Sequence, residues 1–392
     1  MRRTVSRVVT SLAAAMLFAN AIPTMAIDFG PEEIIQAGGA DLQVPGYSVP
    51  SFVDWNNDRL KDLVVGQGGG SGEGKVRVYL NIGTEADPQF NDFFYVQAGG
   101  ADLACPASGC MGCFPRVVYW DGDERKDLLV GLSDGTVRIF LNVTDDNEPA
   151  FDAGTTLTVG SEGIWTLDVG SRATPTPFDW NSDGLLDLVV GALDGAIHVY
   201  LNCGCAGSMP PTFYFSPPDG EFAQDDGRDL QVPGLRSSPV IMDLDGDGRK
   251  DLLTGNTDGL LLFYKNVGLE SLPMFAGYAM VTSQGVPIDL AGTPRSRPFV
   301  CTWTGDGSFG PRDGYQDLLV GAGDGKVRLY RGVPAVGDYD TDGDIDVADL
   351  RLFMDAWRQA DPSADLHADG ALDALDLEAF VDLLLAANPA EE

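Results

Sequence analysis

One short element recurs five times along the chain. It reads KDLVVG from Lys61, KDLLVG from Lys126, LDLVVG from Leu186, KDLLTG from Lys250 and QDLLVG from Gln316. The aspartates fall at 62, 127, 187, 251 and 317, a period of 60 to 66 residues. Such a period constrains the fold more than any local propensity. Each copy is one supersecondary unit that needs its neighbours to bury its apolar face.

The signals around the element repeat too. Pro50, Pro115, Pro175, Pro239 and Pro298 each open a short strand, where proline is tolerated. An acidic loop follows, then the DLhVG strand. Asp134-Gly135, Asp194-Gly195, Asp258-Gly259 and Asp324-Gly325 come next and predict type I′ hairpin turns. Alternating strands VRVYLN, VRIFLN, IHVYLN, LLFYKN and VRLYRG follow, and PQF, PAF, PTF and PMF begin a fourth strand. Four strands per copy without helical periodicity describe a propeller blade. The fifth copy ends at Gly332 without its fourth strand, while residues 28–46 (DFGPEEIIQAGGADLQVPG) match QFNDFFYVQAGGADL from Gln89. The expectation is an all-β five-bladed propeller over 27–333, closed by its N-terminal strand and left without open edges. Trp55, Trp120, Trp180 and Trp303 hold one place on the first strand, which favours packing between blades over sugar stacking.

DWNNDRLKDLVVG, DWNSDGLLDLVVG and DLDGDGRKDLLTG resemble the FG-GAP/VCBS family, the blades of integrin α-chain propellers, over roughly residues 28–333. The resemblance implies calcium-bearing blades. The residues agree, because calcium takes six to eight oxygens and D-x-[DN]-x-D turns three oxygen side chains inward. Blade 1 offers Asp54, Asn56, Asp58 and Asp62, blade 3 Asp179, Asn181, Asp183 and Asp187, blade 4 Asp243, Asp245, Asp247 and Asp251. Leu60, Leu185 and Arg249 would supply carbonyls. Blade 2 has Tyr119 in place of the first acid and keeps Asp121, Asp123 and Asp127. Blade 5 has Thr302 there, an insertion between Asp306 and Asp313, and keeps Asp313 and Asp317. The competing reading is an Asp-rich turn held by side-chain to backbone bonds, without metal.

After a linker at 334–337 the pattern changes. Asp338, Asp340, Asp342, Asp344, Asp346 and Asp349 space as an EF-hand loop, with Gly343 at position 6. Asp365, His367, Asp369, Ala371, Asp373 and Asp376 repeat it, and each loop runs into an amphipathic helical pattern. Residues 338–387 resemble a type I dockerin. That implies a small all-α double EF-hand domain with two calcium ions and a cohesin-like or other cell-surface protein partner. Val347-Ala348 and Ala374-Leu375 depart from the Ser-Thr pair frequent at loop positions 10 and 11, and His367 departs at position 3. The alternative is a calcium-stabilised helical cap on the propeller. Residues 388–392 form a tail. About five calcium ions are expected, three in the propeller and two here.

Residues 1–26 carry Arg2, Arg3 and Arg7, an apolar run Ser11 to Ile22 and a small-residue site at Ala26, as in a secretory signal peptide. Without it the chain has 22 basic against 59 acidic residues, a charge of −37. That repels nucleic acid and anionic membrane. With 44% hydrophobic residues and periodic acids, disorder is excluded. Export favours disulfides over zinc for Cys105, Cys110, Cys113, Cys203 and Cys205, with Cys301 a buried thiol. Arg172, Arg236 and Arg295 stand three residues before the first-strand proline, with Arg297 beside the last. They suit an anionic glycan or an acidic partner. The alternative is local pairing with Asp41, Asp102, Asp168, Asp229 and Asp289. The sequence therefore reads as a secreted, monomeric, calcium-stabilised binding or scaffold protein. The rival is a propeller enzyme, a glycoside hydrolase or polysaccharide lyase. Only His198 and His367 are available for histidine chemistry, and no non-repeated acidic motif stands out.

Overall fold

A computed structural model describes residues 27–387, except 70–71, 108–110, 161–164, 203, 205–210, 212, 214–220, 226, 291, 304–314, 334–335, 340–344 and 367–369. The signal segment, the tail, Cys110, Cys203, Cys205 and part of the linker lie outside the described residues.

Each repeat folds into one antiparallel sheet in chain order. The first strands are Ser48–Val53, Phe114–Val118, Thr174–Phe178, Ser238–Met242 and Arg297–Cys301. Each pairs with its DLhVG strand, as Pro239 opposite Thr254 illustrates, and that strand pairs with the alternating third strand. The last repeat takes its fourth strand from the start of the chain, with Glu33 opposite Leu329 and Ile34 opposite Arg328. The five first strands lie against one another in a closed order, the fifth against the first.

The expected five-bladed count is corrected by a further sheet. Asp28–Phe29 runs parallel to Thr282–Ser283, which pairs antiparallel with Val286–Pro287. Counted by sheets of three or more strands, the propeller has six blades among the described residues. The extra pairing joins residues 254 positions apart, Asp28 and Thr282, so no local pattern announces it. The all-α C-terminal domain is corrected as well. Among the described residues the α-helix amounts to two short segments, α1 (Val347–Arg358) and α2 (Ala374–Ala387). Helix α1 starts after its N-cap Asp346. The type I′ turns are corrected too. In Asp134-Gly135, Asp194-Gly195, Asp258-Gly259 and Asp324-Gly325 only the glycine has positive φ, 95°, 90°, 99° and 77°. A type I′ turn needs positive φ at both central residues.

The glycine ending DLhVG exists for close approach. A Cβ on Gly131 would stand 2.1 Å from Ala173 O, and one on Gly321 would stand 2.2 Å from Ser48 O. Each contact is with the start of the first strand of the next repeat or the residue before it, and the second closes the ring. Between repeats the core is aromatic. Trp55 meets Phe151, Trp120 meets Phe213, Trp180 meets Phe275 and Trp303 meets Phe90, with centroids 5.8 to 6.4 Å apart. All four tryptophans are buried, as expected for packing between blades. Blade 4 has Leu244 instead, packed in the same cluster as Phe29. Cys105 and Cys113 form a disulfide, and Cys301 is a buried free thiol.

Candidate metal centres

The aspartate that opens each DLhVG strand is a buried staple. Asp62 accepts from Trp55 N at 2.9 Å and Asn81 N at 2.8 Å. Asp127 accepts from Trp120 N and Asn142 N, Asp187 from Trp180 N and Asn202 N, Asp251 from Leu244 N and Asn266 N. Asp317 accepts from Trp303 N and Gly332 N. One carboxylate thus joins the end of the first strand to the end of the third. Burial pushes Asp62, Asp127 and Asp187 up to about 6 and Asp251 up to about 7, against the N–H bonds that favour the anion. Loop carboxylates nearby push the same way.

The remaining acids form the rim. Residues four and six of the curl take positive φ: Asn57 and Arg59, Gly122 and Glu124, Ser182 and Gly184, Gly246 and Gly248. In blade 4, Asp243 accepts from Gly246 N at 2.9 Å and Gly248 N at 2.8 Å, while Asp247 accepts from Arg249 N at 3.0 Å. Blade 1 repeats this with Arg59 N on Asp54 and Leu60 N on Asp58. Blade 3 does so with Gly184 N on Asp179 and Leu185 N on Asp183. Burial also raises Asp243. Carboxylate oxygens of Asp243, Asp245 and Asp247 lie within 4.8 Å of one another, and so do those of Asp121, Asp123 and Asp127. Hard oxygens at that spacing fit a single calcium ion. Blade 2 therefore gathers three acids despite Tyr119, because its staple Asp127 closes the set. In blades 1 and 3 the Asn56 and Asn181 amides donate instead to Asp58 and Asp183, at 2.9 and 3.0 Å.

Two cations escaped the sequence reading. The Lys265 ammonium pairs with Asp247 at 2.9 Å and with Asp245. It stands where other repeats have Leu80, Leu141 and Leu201, so its signal was a departure from the repeat. Buried Lys250 donates to Asp179 O at 2.7 Å, Ser182 Oγ at 2.7 Å and Trp180 O at 3.2 Å, all in the loop of the preceding repeat. In blade 2, Arg125 pairs with Asp123.

Near the C-terminus Asp349 and Asp376 are buried. Asp349 accepts from Tyr339 N at 2.6 Å and Asp346 N at 2.9 Å, and Asp346 accepts from Ala348 N, which makes a capping box. Asp376 accepts from Asp373 N at 2.8 Å, Asp373 from Leu375 N, and Asp365 from Gly370 N, one residue before Ala371. Phe353 of α1 and Phe380 of α2 stack at 4.7 Å. Tyr315 donates to Asp338, tying this region to the last propeller repeat. Asp340, Asp342, Asp344, His367 and Asp369 lie outside the described residues, as do Asp306 and Asp313.

The arginines are placed deeper than an open binding face requires. Arg172 and Arg297 are 0% and 1% exposed, while Arg236 and Arg295 are half-buried. Arg172, Arg236 and Arg295 all have positive φ. Arg172 donates to Ser237 O and Ser238 Oγ, and Arg297 donates to Arg295 O. Of the recurring acids, Asp41 pairs with Lys326 and Asp102 with Lys75.

The FG-GAP-like repeat family model matches residues 179–254, the loops of the third and fourth repeats. No curated protein matches the sequence. Among solved structures the chain is similar to the Photorhabdus luminescens Tc holotoxin pore, at 13% identity over 78% of this chain, with a TM-score of 0.33. It spans only 15% of that toxin chain. It is also similar to the catalytic domain of the Coprinopsis cinerea GH62 α-L-arabinofuranosidase, at 14% identity over 78% of this chain and 97% of that one, with a TM-score of 0.44. A GH43_1 enzyme from Xanthomonas citri complexed with xylotriose shares 12% identity over 74% of this chain and 88% of that one, with a TM-score of 0.41.

Proposed function

We propose that the chain is a secreted, calcium-stabilised propeller that works as a binding or scaffold module. Its C-terminal pair of loop–helix units, dockerin-like in loop spacing, serves as the attachment point to another protein. The observation that carries this reading is the blade-4 loop, whose three rim carboxylates converge within 4.8 Å above a buried fourth. Like charges that close repel, and a divalent cation relieves them. Asp243, Asp245 and Asp247 would hold the ion in blade 4, and Asp121, Asp123 and Asp127 in blade 2. Bound calcium would supply rigidity by pinning the loop between the first two strands.

The central cavity is lined by Val49, Phe114, Arg116, Thr174, Pro175, Ser238 and Arg297. No described helix is long and apolar enough to cross a membrane. Calorimetric calcium titration of the metal-stripped protein tests the reading, together with a glycan-array and pull-down screen run with calcium and with chelator. Calcium should bind and raise the melting temperature, and partner capture should depend on it. A melt indifferent to calcium would count against the proposal.

A further inference from the structure

The five first strands enclose an axial cavity to which all five contribute. Its seven lining residues include two arginines and no acid, in a chain of net charge −34. Arg116 uses Nη1 on neutral acceptors only, Pro115 O at 3.0 Å, Ser51 Oγ at 3.3 Å and Pro50 O at 3.5 Å, and lies over the Phe299 ring. No carboxylate pairs with it among the described residues. Burial alone draws its pKa down to about 10. Arg297 enters from the fifth first strand, its guanidinium 3.8 Å above the Tyr47 ring, which stacks on Phe114. Ser238 Oγ accepts from Arg172 Nη2 at 2.8 Å, so its own proton is left to donate. Among the described residues that proton has no acceptor.

A half-buried guanidinium with only neutral acceptors beside it is costly until a counter-charge arrives. The space left is small. About 10 Å³ is open to the centre of a water-sized particle, enough for one such particle and too little for a sugar acid. We propose that this axial cavity binds a small monovalent anion of about chloride size, held by Arg116, Arg297 and the Ser238 hydroxyl. The ion neutralises the inner faces of the blades where they meet. The site is independent of the acidic loops, so it can fail without touching the calcium reading.

Bromide is the probe. Crystals of the full chain grown in sodium bromide, measured at the bromine edge, should show an anomalous peak within about 3.5 Å of the Arg116 guanidinium. In solution, exchanging methanesulfonate for chloride at constant ionic strength and saturating calcium should raise the melting temperature saturably, by about 2 °C. Arg116→Met should abolish that increment and keep the calcium response. Ser238→Ala, a gentler change, should raise the chloride concentration needed by several-fold. An empty cavity in the bromide map overturns the proposal. So does a melt unchanged by the exchange, or an undiminished increment in R116M.

Discussion

Asp251 and Asp349 make the same bonds at different range. Each buried carboxylate accepts from two backbone N–H groups. Asp251 reaches Leu244 and Asn266, which belong to the ends of separate strands, 7 and 15 residues away. Asp349, in the first turn of α1, reaches Tyr339 and Asp346, only 10 and 3 residues away. The propeller acid therefore belongs to the core of its blade whether or not a metal is bound. The helix acid ties Tyr339 and Asp346 to the start of α1. Similar loop spacing thus yields a strut in one place and a local cap in the other, because a strand leaves one loop and a helix leaves the other.

The largest effect should come from removing the two staples. Asp251→Ala strands two buried N–H groups at about 1–3 kcal/mol each. Tryptophan-monitored melts should drop by roughly 10 °C, with calcium or without it. Asp349→Ala should cost only about 1 kcal/mol and lower helical far-UV dichroism, leaving the main melt in place. Equal losses would break the comparison.

The next test concerns Lys265. Its ammonium sits on the rim acids that calcium would need. Lys265→Leu, the residue of the blade-3 repeat, should tighten calorimetric calcium binding by about tenfold and lower the metal-free melting temperature slightly. Unchanged affinity would mean that the lysine swings away freely.

Acidity separates the staples from the metal. In metal-free protein the folded state keeps protons on Asp62, Asp127 and Asp187 up to about 6 and on Asp251 up to about 7. The unfolded chain releases them near its ordinary value of about 4. Between those limits the folded state binds more protons, so stability falls as pH rises and levels off above about 7. Calcium requires ionised ligands and should flatten or invert that slope. Urea midpoints at about pH 5.5 and 7.5, with and without calcium, read the difference. A metal-free protein most stable at the higher pH would contradict the burial of these carboxyls.

The smallest effect is Tyr119→Asp, which restores the first acid of blade 2. Tyr119 is 53% exposed, so the metal-free melt should hardly move. Calcium affinity should rise by several-fold, read by competition with a chromophoric chelator. No change would show that Asp127 already completes that set.

Much of this was legible. The DLhVG strands, the buried tryptophans and the curled acidic loops follow from residues close in sequence, and the strand at Glu33–Ile34 that completes the last repeat follows from its likeness to the segment after Gln89. Lys265 could have been found, since it departs from the leucine that the first three repeats have at its place. In blade 2 the three acids that the sequence offers, Asp121, Asp123 and Asp127, are also the three whose oxygens converge. The arginines were placed on an open face from their spacing to a proline, yet Arg172 and Arg297 point into the packed axis. Burial is a property of the assembled ring, and spacing within one repeat carries no information about it.

By itself the sequence determined the repeat, its strands and the residues offered to calcium, because each is set by alternation, turns and spacing within some 60 residues. Only the tertiary structure decided the sixth sheet, formed where Asp28–Phe29 meets Thr282–Ser283, and the cationic axial cavity. Both arise where parts of the chain distant in sequence close on one another. Backbone pairing and charge burial there depend on what the ring brings together, which no single repeat encodes.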